Sequence, residues 1–518
     1  MPMPQLLIDF CRDFKLINIK ALPMAASFTF SIELLAAGVM ATHLSDDESY
    51  AAASILFQAY TYTVMQLSFS PVPYVGIRIS PFFGELHTLE SGNPSAEEIN
   101  NLQLKLGNIF KVGLIECTIL AVPAGITLFF SDRIINLLGQ LPEVAQLAAK
   151  FLKVFSISTP PLAIRGCIGQ MLYANDDSKP AMYISGVNFI IGTLLAIWFS
   201  MGGLGIQSQG LSGIAWGYNV ESYLTAIGSI LYISLGKKYT KIPLFSKTNW
   251  RDIINELKAL VTIGGPLALT KLVEVSTIFI LSICAGMIGV SEQGTFSYSM
   301  QMPFLIFIFA MAFGETISYH IGRLMGSSEF NEASRIAKNG LITTFIFLTP
   351  PCLFVNFYPQ YLYKVLNISG EQEKLVPKLL PLVLSAAVVQ AGRFNVNQVL
   401  RVLHDNKGST MTSIIGLSTG VAVAAILGLE TNAALYGIAS GLLIGEGVSF
   451  IGLLWRWFSR IQPAAIYKVK MNPENAEHQT WGAYFCSFFK YHSHNNEEET
   501  VLLQNQNLNS ANLVTMDL

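Results

Sequence analysis

A small set of carboxylates, bases and amides stands inside stretches that are otherwise uncharged, and these are the side chains able to do chemistry. Glu274 lies in an apolar run with Lys271 three residues before it, a spacing that puts both on one helix face. Glu33, Glu221 and Glu446 stand in similar runs, and Glu315 with His320 lies toward the end of another, where water is expected to reach them. A carboxylate kept from water costs roughly 3 kcal/mol or more unless paired or hydrated, so each is a candidate for reversible binding of a cation. The plainer reading of Glu274 is an ion pair with Lys271, and the two readings can coexist. Arg165 and Arg393, each followed five residues later by a glutamine, Gln170 and Gln398, occupy matching places in related segments. Repetition favours a structural role for them, with contact to acidic substrate groups as the alternative. The near-equivalence of Glu221 and Glu446 argues likewise for packing, or for lining two halves equally.

Other chemistries lack their residues. The six cysteines show no CxxC or metal-ligand spacing and are read as small buried apolar side chains. The seven histidines form no HExxH, and no GxxxxGK[ST] phosphate loop occurs. No catalytic residues, no metal and no cofactor are expected.

The elements that position these groups follow from charge distribution. Of 518 residues, 13% are charged and 52% hydrophobic, against roughly 25% charged in an ordinary soluble domain. Residues 51–77, 339–363 and 408–429 hold no formal charge, and neither does 180–220, which has a Gly-rich break. About 20 apolar residues cross a bilayer as a helix. These runs exclude a soluble enzyme, a nucleic-acid binder and a disordered scaffold. Twelve spans are expected, at 21–42, 51–80, 107–130, 148–173, 180–202, 211–235, 259–287, 295–322, 339–358, 376–403, 408–429 and 433–457. Residues 1–20 read as a cytosolic amphipathic segment, with Leu6, Leu7, Phe10 and Phe14 at helical spacing. Residues 458–518 read as a cytosolic, disordered tail. Lys and Arg number 22 on the side of the termini and 4 on the other, which places both termini in the cytosol, in a plasma or inner membrane.

The loop 236–258 separates a lobe of six spans, 21–235, from a second, 259–457, and the two match. Gly76, Ile79, Ser80, Gly84 and Leu86 recur as Gly314, Ile317, Ser318, Gly322 and Leu324 at an offset of 238. Arg165, Gln170, Leu172, Asp177 and Lys179 recur as Arg393, Gln398, Leu400, Asp405 and Lys407 at 228, and Gly213-Ile-Ala recurs as Gly437-Ile-Ala at 224. Three matches in order indicate a duplication. Six spans per half make the repeats parallel, related by a pseudo-twofold axis along the membrane normal with a cavity between the lobes. The expected fold is thus all-α and integral to the membrane: twelve transmembrane helices in two parallel six-helix repeats around a central cavity. Rocking of the lobes would give alternating access.

These residues resemble the multidrug and toxic compound extrusion (MATE) family over about 20–457. The carriers of the resemblance are Met40-Ala-Thr-His43 with Pro23 upstream, Ile263-Gly-Gly-Pro266 followed by Leu272-Val-Glu274, the Gly84 and Gly322 helix ends, and the Asp177/Lys179 and Asp405/Lys407 turns. The resemblance implies export of amphipathic, often cationic, small molecules coupled to a proton or sodium gradient. It places Glu274 at the family's carboxylate position in the seventh helix and makes it the main coupling candidate. Many members carry an Asp in the first helix; here that position is Ala37, and the nearest carboxylate is Glu33, one turn earlier. A monomer meeting lipid and a small-molecule substrate, without nucleic acid, is expected. The rivals are a lipid or lipid-linked saccharide flippase of related architecture, an intramembrane enzyme and a channel.

Overall fold

A computed structural model describes residues 5–471 apart from 46–47, 71, 93–94, 138–141, 204, 245–249, 362–371 and 432. The sequon Asn367-Ile-Ser369 and the tail from 472 onward lie outside the described residues. The first lobe comprises α1 (Gln5–Ser27), α2 (Thr29–Thr42), α3 (Glu48–Phe69), α4 (Val72–Ser91), α5 (Ala96–Phe129), α6 (Ser131–Leu137), α7 (Pro142–Phe155), α8 (Thr159–Ala174), α9 (Ser178–Met201) and α10 (Leu211–Leu235). The second comprises α11 (Trp250–Ile288), α12 (Val290–Gly326), α13 (Phe330–Phe357), α14 (Gln372–Val402), α15 (Asn406–Ala425) and α16 (Ala434–Arg460), followed by α17 (Pro463–Met471). The protein is an all-α integral membrane protein of twelve transmembrane helices in two parallel six-helix repeats around a central cavity. Among the described residues, nine helices are long and apolar enough to cross a membrane, or ten if the bent pair α1 and α2 is one span. Ile119, Val122, Leu194 and Ile451 are each more than half exposed, as a lipid-facing surface requires.

Local chemistry sets the element ends. At α5 the Ser95 hydroxyl accepts from the Glu98 amide at 3.2 Å, and the Ser95 amide donates to Glu98 Oε2 at 3.1 Å, a reciprocal cap. Pro160 and Pro161 carry no amide hydrogen, so the expected span 148–173 is α7, a 3₁₀ turn at Ser156–Ser158 and then α8. The expected span 51–80 is likewise two helices, α3 and α4. Pro303, Pro350 and Pro351 instead lie inside continuous helices.

Three expected boundaries move. The residue-20 boundary falls inside α1, which runs unbroken to Ser27 and is bent by 45° against α2 at Phe28. Its buried face is Asp13, Ile17, Ala21 and Met24, packed between the lobes, while Phe10 and Phe14 stay half-buried. The 236–258 segment already carries the start of α11, and Tyr239, Ile242 and Leu244 in it are buried. The first part of the tail is ordered as α17, because Ile466 and Val469 bury on one face and Tyr467 packs edge-on to Phe330.

The lobes meet where α4 crosses α12. A Cβ on Gly84 would lie 2.0 Å from the Arg323 carbonyl oxygen, and one on Gly322 would lie 2.1 Å from Ser80 Oγ. These are the repeat-related glycines, so the crossing sits on the pseudo-twofold axis. Overpacking costs about 1–3 kcal/mol. Gly84→Val should force the seam apart and raise maleimide labelling of a cysteine placed at buried Ser318 by about tenfold; an unchanged rate would show that the crossing does not hold the seam shut.

Candidate functional site

Each lobe builds the same cluster from its own three helices. In the first, Arg165 on α8 stands between Glu221 on α10, at 3.0 Å, and Glu33 on α2, at 3.2 Å. Thr225 Oγ1 donates to Glu221 Oε1 at 2.9 Å. In the second, Arg393 on α14 stands between Glu446 on α16, at 2.5 Å, and Glu274 on α11, at 2.7 Å. The duplication read from sequence thus returns as two Glu–Arg–Glu triads. It makes the arginines structural cross-links between helices and gives Glu221 and Glu446 one shared role.

The triads differ in charge. Lys271 Nζ reaches Glu274 Oε2 at 2.7 Å, so both oxygens of Glu274 meet a base. The lysine also stands over the rings of Phe307 and Phe394, at 5.4 and 5.1 Å. The second triad with Lys271 therefore balances two carboxylates with two bases. The first has two carboxylates and one base, and Glu33 Oε2 is buried with no hydrogen-bond partner among the described residues. Arg165 also borders a cavity of about 190 Å³, whose other walls include Ser27 and Phe28 at the α1/α2 bend, Gln66, Tyr173 and, from the second lobe, Met311. Drug-sized pockets run to roughly 300–1,000 Å³, so a molecule of that size needs the lobes to move.

The repeat-related glutamines diverge. Gln398 accepts from Arg401 Nη1 at 3.3 Å within its own lobe. Gln170 crosses the seam: its Nε2 donates to Glu315 Oε2 at 3.3 Å, and its Oε1 lies beside the Tyr319 hydroxyl. The expectation that Glu315 reaches water is corrected, since it is 2% exposed beneath the α4/α12 crossing.

Sequence reasoning counted Lys20, Arg323 and Arg335 only as loop charges, and these close the seam at the end that carries α1. Asp176, in the turn between α8 and α9 at φ 57°, meets Lys20 Nζ at 2.6 Å and Arg323 Nη2 of the other lobe at 2.5 Å. Arg323 Nη1 also donates to the Ala174 carbonyl at 2.7 Å. Buried Asp13 accepts from Arg335 and Asn339 on α13 at 3.0 and 2.7 Å. Burial pushes the Asp176 carboxyl up, but Arg323 and Lys20 outweigh it and hold the group below its ordinary value. The bridge is therefore present wherever ordinary aspartates are charged, and is lost only as pH falls through that depressed pKa. The neighbouring Asp177 and its counterpart Asp405 anchor the same turn inside each lobe, to Tyr232 and Tyr239 and to Arg456. Those Asp-Lys turns were the visible signal, although they mark the residue next to the inter-lobe bridge.

Two helical lobes, buried ion clusters and a seam between them define a multi-pass integral membrane transporter. The family model described as MatE matches residues 101–198 and 266–426, together half of the chain. The chain belongs to the MatE family, whose members are transporters and not enzymes. A Brucella suis relative, described as a probable multidrug resistance protein NorM, is 20% identical over 351 residues, covering 67% of this chain and 74% of the relative. The solved structure of the eukaryotic MATE transporter AtDTX14 superposes with a TM-score of 0.73 at 16% identity, covering 89% of this chain and 100% of that one. A MATE structure in the bent conformation gives 0.69 at 18% identity, with coverages of 90% and 99%.

Proposed function

We propose that the protein is a secondary active antiporter that exports amphipathic, cationic small molecules in exchange for protons or sodium ions, by alternating access of its two lobes. The observation that carries this reading is the surplus carboxylate of the first triad beside the cavity. Glu33, with an oxygen left without a partner among the described residues, has capacity for an incoming cation, and negative charge next to an aromatic-bordered cavity suits a cationic substrate. Glu274 was the leading coupling residue by family position, but its two ion pairs make it the balanced counterpart, and we assign the coupling cation to Glu33. The drug-resistance description of the Brucella relative supports efflux of foreign compounds. The excess of Lys and Arg on one side supports cytosolic termini, with export outward. A flippase reading would need free cationic groups for a headgroup phosphate, and Arg165, the one base bordering the cavity among the described residues, is already paired with two carboxylates.

The test is flux in reconstituted vesicles, with a fluorescent amphipathic cation and with pH and sodium gradients imposed separately. Movement that follows one gradient and stops when it is collapsed is expected. Movement indifferent to both would overturn the antiport reading, and translocation of headgroup-labelled lipid instead of the cation would revive the flippase.

A further inference from the structure

Glu315 belongs to neither triad. It lies on α12 of the second lobe, buried against α8 of the first, and both of its hydrogen bonds end on Oε2: from Gln170 Nε2 at 3.3 Å and from Tyr319 OH at 3.3 Å. No cation stands within 4.0 Å of it among the described residues. Of the bases whose fields reach it, Lys271 on α11 is paired with Glu274, and Arg401 on α14 donates Nη1 to the neutral Gln398, keeps Nη2 buried without a partner among the described residues, and stands beyond ion-pair distance of Glu315. The remaining groups around it are uncharged: Tyr173 on α8, the Pro73 carbonyl of α4 beside the Tyr319 hydroxyl, and Thr316 beside Met24 of α1. An ionised carboxylate sealed in such a place, with two long hydrogen bonds and no counterion, is costly, whereas a protonated one is not. Separation of the lobes removes Gln170 and admits water, which restores the hydration an ionised carboxylate needs.

We propose that Glu315 is a proton-binding site of the cytosolic seam: the carboxyl takes up one proton, on Oε1, when the lobes close over it, and releases it to water when they part. Closure of the cytosolic side is thereby linked to protonation, independently of which cation the first triad carries. The inference rests on the two-lobe, alternating-access reading but not on proton or sodium coupling, and not on the substrate.

The sign separates Glu315 from the other titratable group in the seam. His320 Nδ1 lies 3.0 Å from Arg323 Nη2 and 3.4 Å from Lys20 Nζ, so a proton there would set three cations side by side and open the seam as pH falls. Protonation of Glu315 closes it as pH falls.

The experiment places spin labels at exposed Glu90 on α4 and Glu329 after α12, in the full chain without its native cysteines, and follows their distance by pulsed electron resonance in lipid nanodiscs. The pH is stepped through the range in which carboxyls and imidazoles titrate, with no substrate present. The closed fraction of the parent protein should rise as pH falls, and Glu315→Gln, a neutral isostere, should be closed throughout with that dependence lost. A His320→Gln control should keep it. A Glu315→Gln protein that still closes with the parent's pH dependence overturns the assignment. Should that variant not fold, Tyr319→Phe, which removes one donor to the carboxylate, should move the closing midpoint to higher pH, and an unmoved midpoint overturns it equally. A distance constant at every pH in the parent overturns alternating access and this inference together, whereas a failed flux assay with a normal pH-dependent distance leaves the Glu315 site standing.

Discussion

Arg393→Ala is expected to be the most damaging single substitution in the membrane core. Arg393 is fully buried and is shared by Glu274 and Glu446, so its removal leaves Glu446 without a base and Glu274 with Lys271 alone. Breaking a buried ion pair by deleting one partner costs about 3–5 kcal/mol, most of it the uncompensated charge. It also unties α11, α14 and α16, the helices corresponding to those tied by Arg165 in the other lobe. The measurement is the thermal unfolding midpoint and the monodisperse yield in detergent. The same position as Met, combined with Glu446→Gln, should recover most of the loss, since Glu274 keeps its pair with Lys271 and no buried charge is left without a partner. If Arg393→Ala unfolds at the parent's temperature, the triad is not a cross-link. Arg165→Ala should cost less, because its side chain is 10% exposed at the cavity and water can take over part of its work.

Glu33→Gln should have the largest effect on transport with the least effect on the fold. The substitution removes the surplus carboxylate and leaves Arg165 with Glu221 as a balanced pair, so the unfolding midpoint should hold or rise. Gradient-driven flux should nonetheless fall by about tenfold or more, the scale on which linked binding equilibria couple. Glu274→Gln makes the contrast: it leaves Lys271 without its carboxylate and Arg393 with only Glu446, so it should lower the midpoint whatever it does to flux. A Glu33→Gln protein with full gradient-driven flux would move the coupling site to the second lobe. The two variants measured side by side therefore decide between lobes that are alike in geometry and unlike in charge.

Most of the architecture was legible without coordinates, because a bilayer imposes strong and simple constraints. The spans follow from charge-free runs, and the pairing of lobes from residues repeated in order, such as Arg165 with Arg393 and Asp177 with Asp405. The same reading singled out Glu33, Glu221, Glu274, Glu315 and Glu446, all of which the fold buries, since an ionisable group in an apolar run is rare enough to stand out. It misjudged elements whose placement depends on partners distant in sequence. The buried face of α1 is Asp13, Ile17, Ala21 and Met24 rather than the aromatic face, because α9, α12 and α13 cover it. Residues 463–471 looked like tail, yet form a helix once α12 and α13 offer a surface for Ile466 and Val469.

What the sequence determined by itself is the list of charges that must be managed inside a membrane and the twofold duplication that manages them. Only the tertiary structure decided who pairs with whom. Arg165 lies 132 residues from Glu33, and Arg393 lies 119 from Glu274, so spacing along the chain carries no information about either contact. Lys271, by contrast, pairs with Glu274 within one turn of a single helix and was readable from the chain. That local lysine has no counterpart in the first triad, and its presence in one lobe alone makes two similar clusters electrically different. The physical reason is that pairing within a helix is set by period, whereas pairing between helices is set by which faces the packing of two lobes brings together.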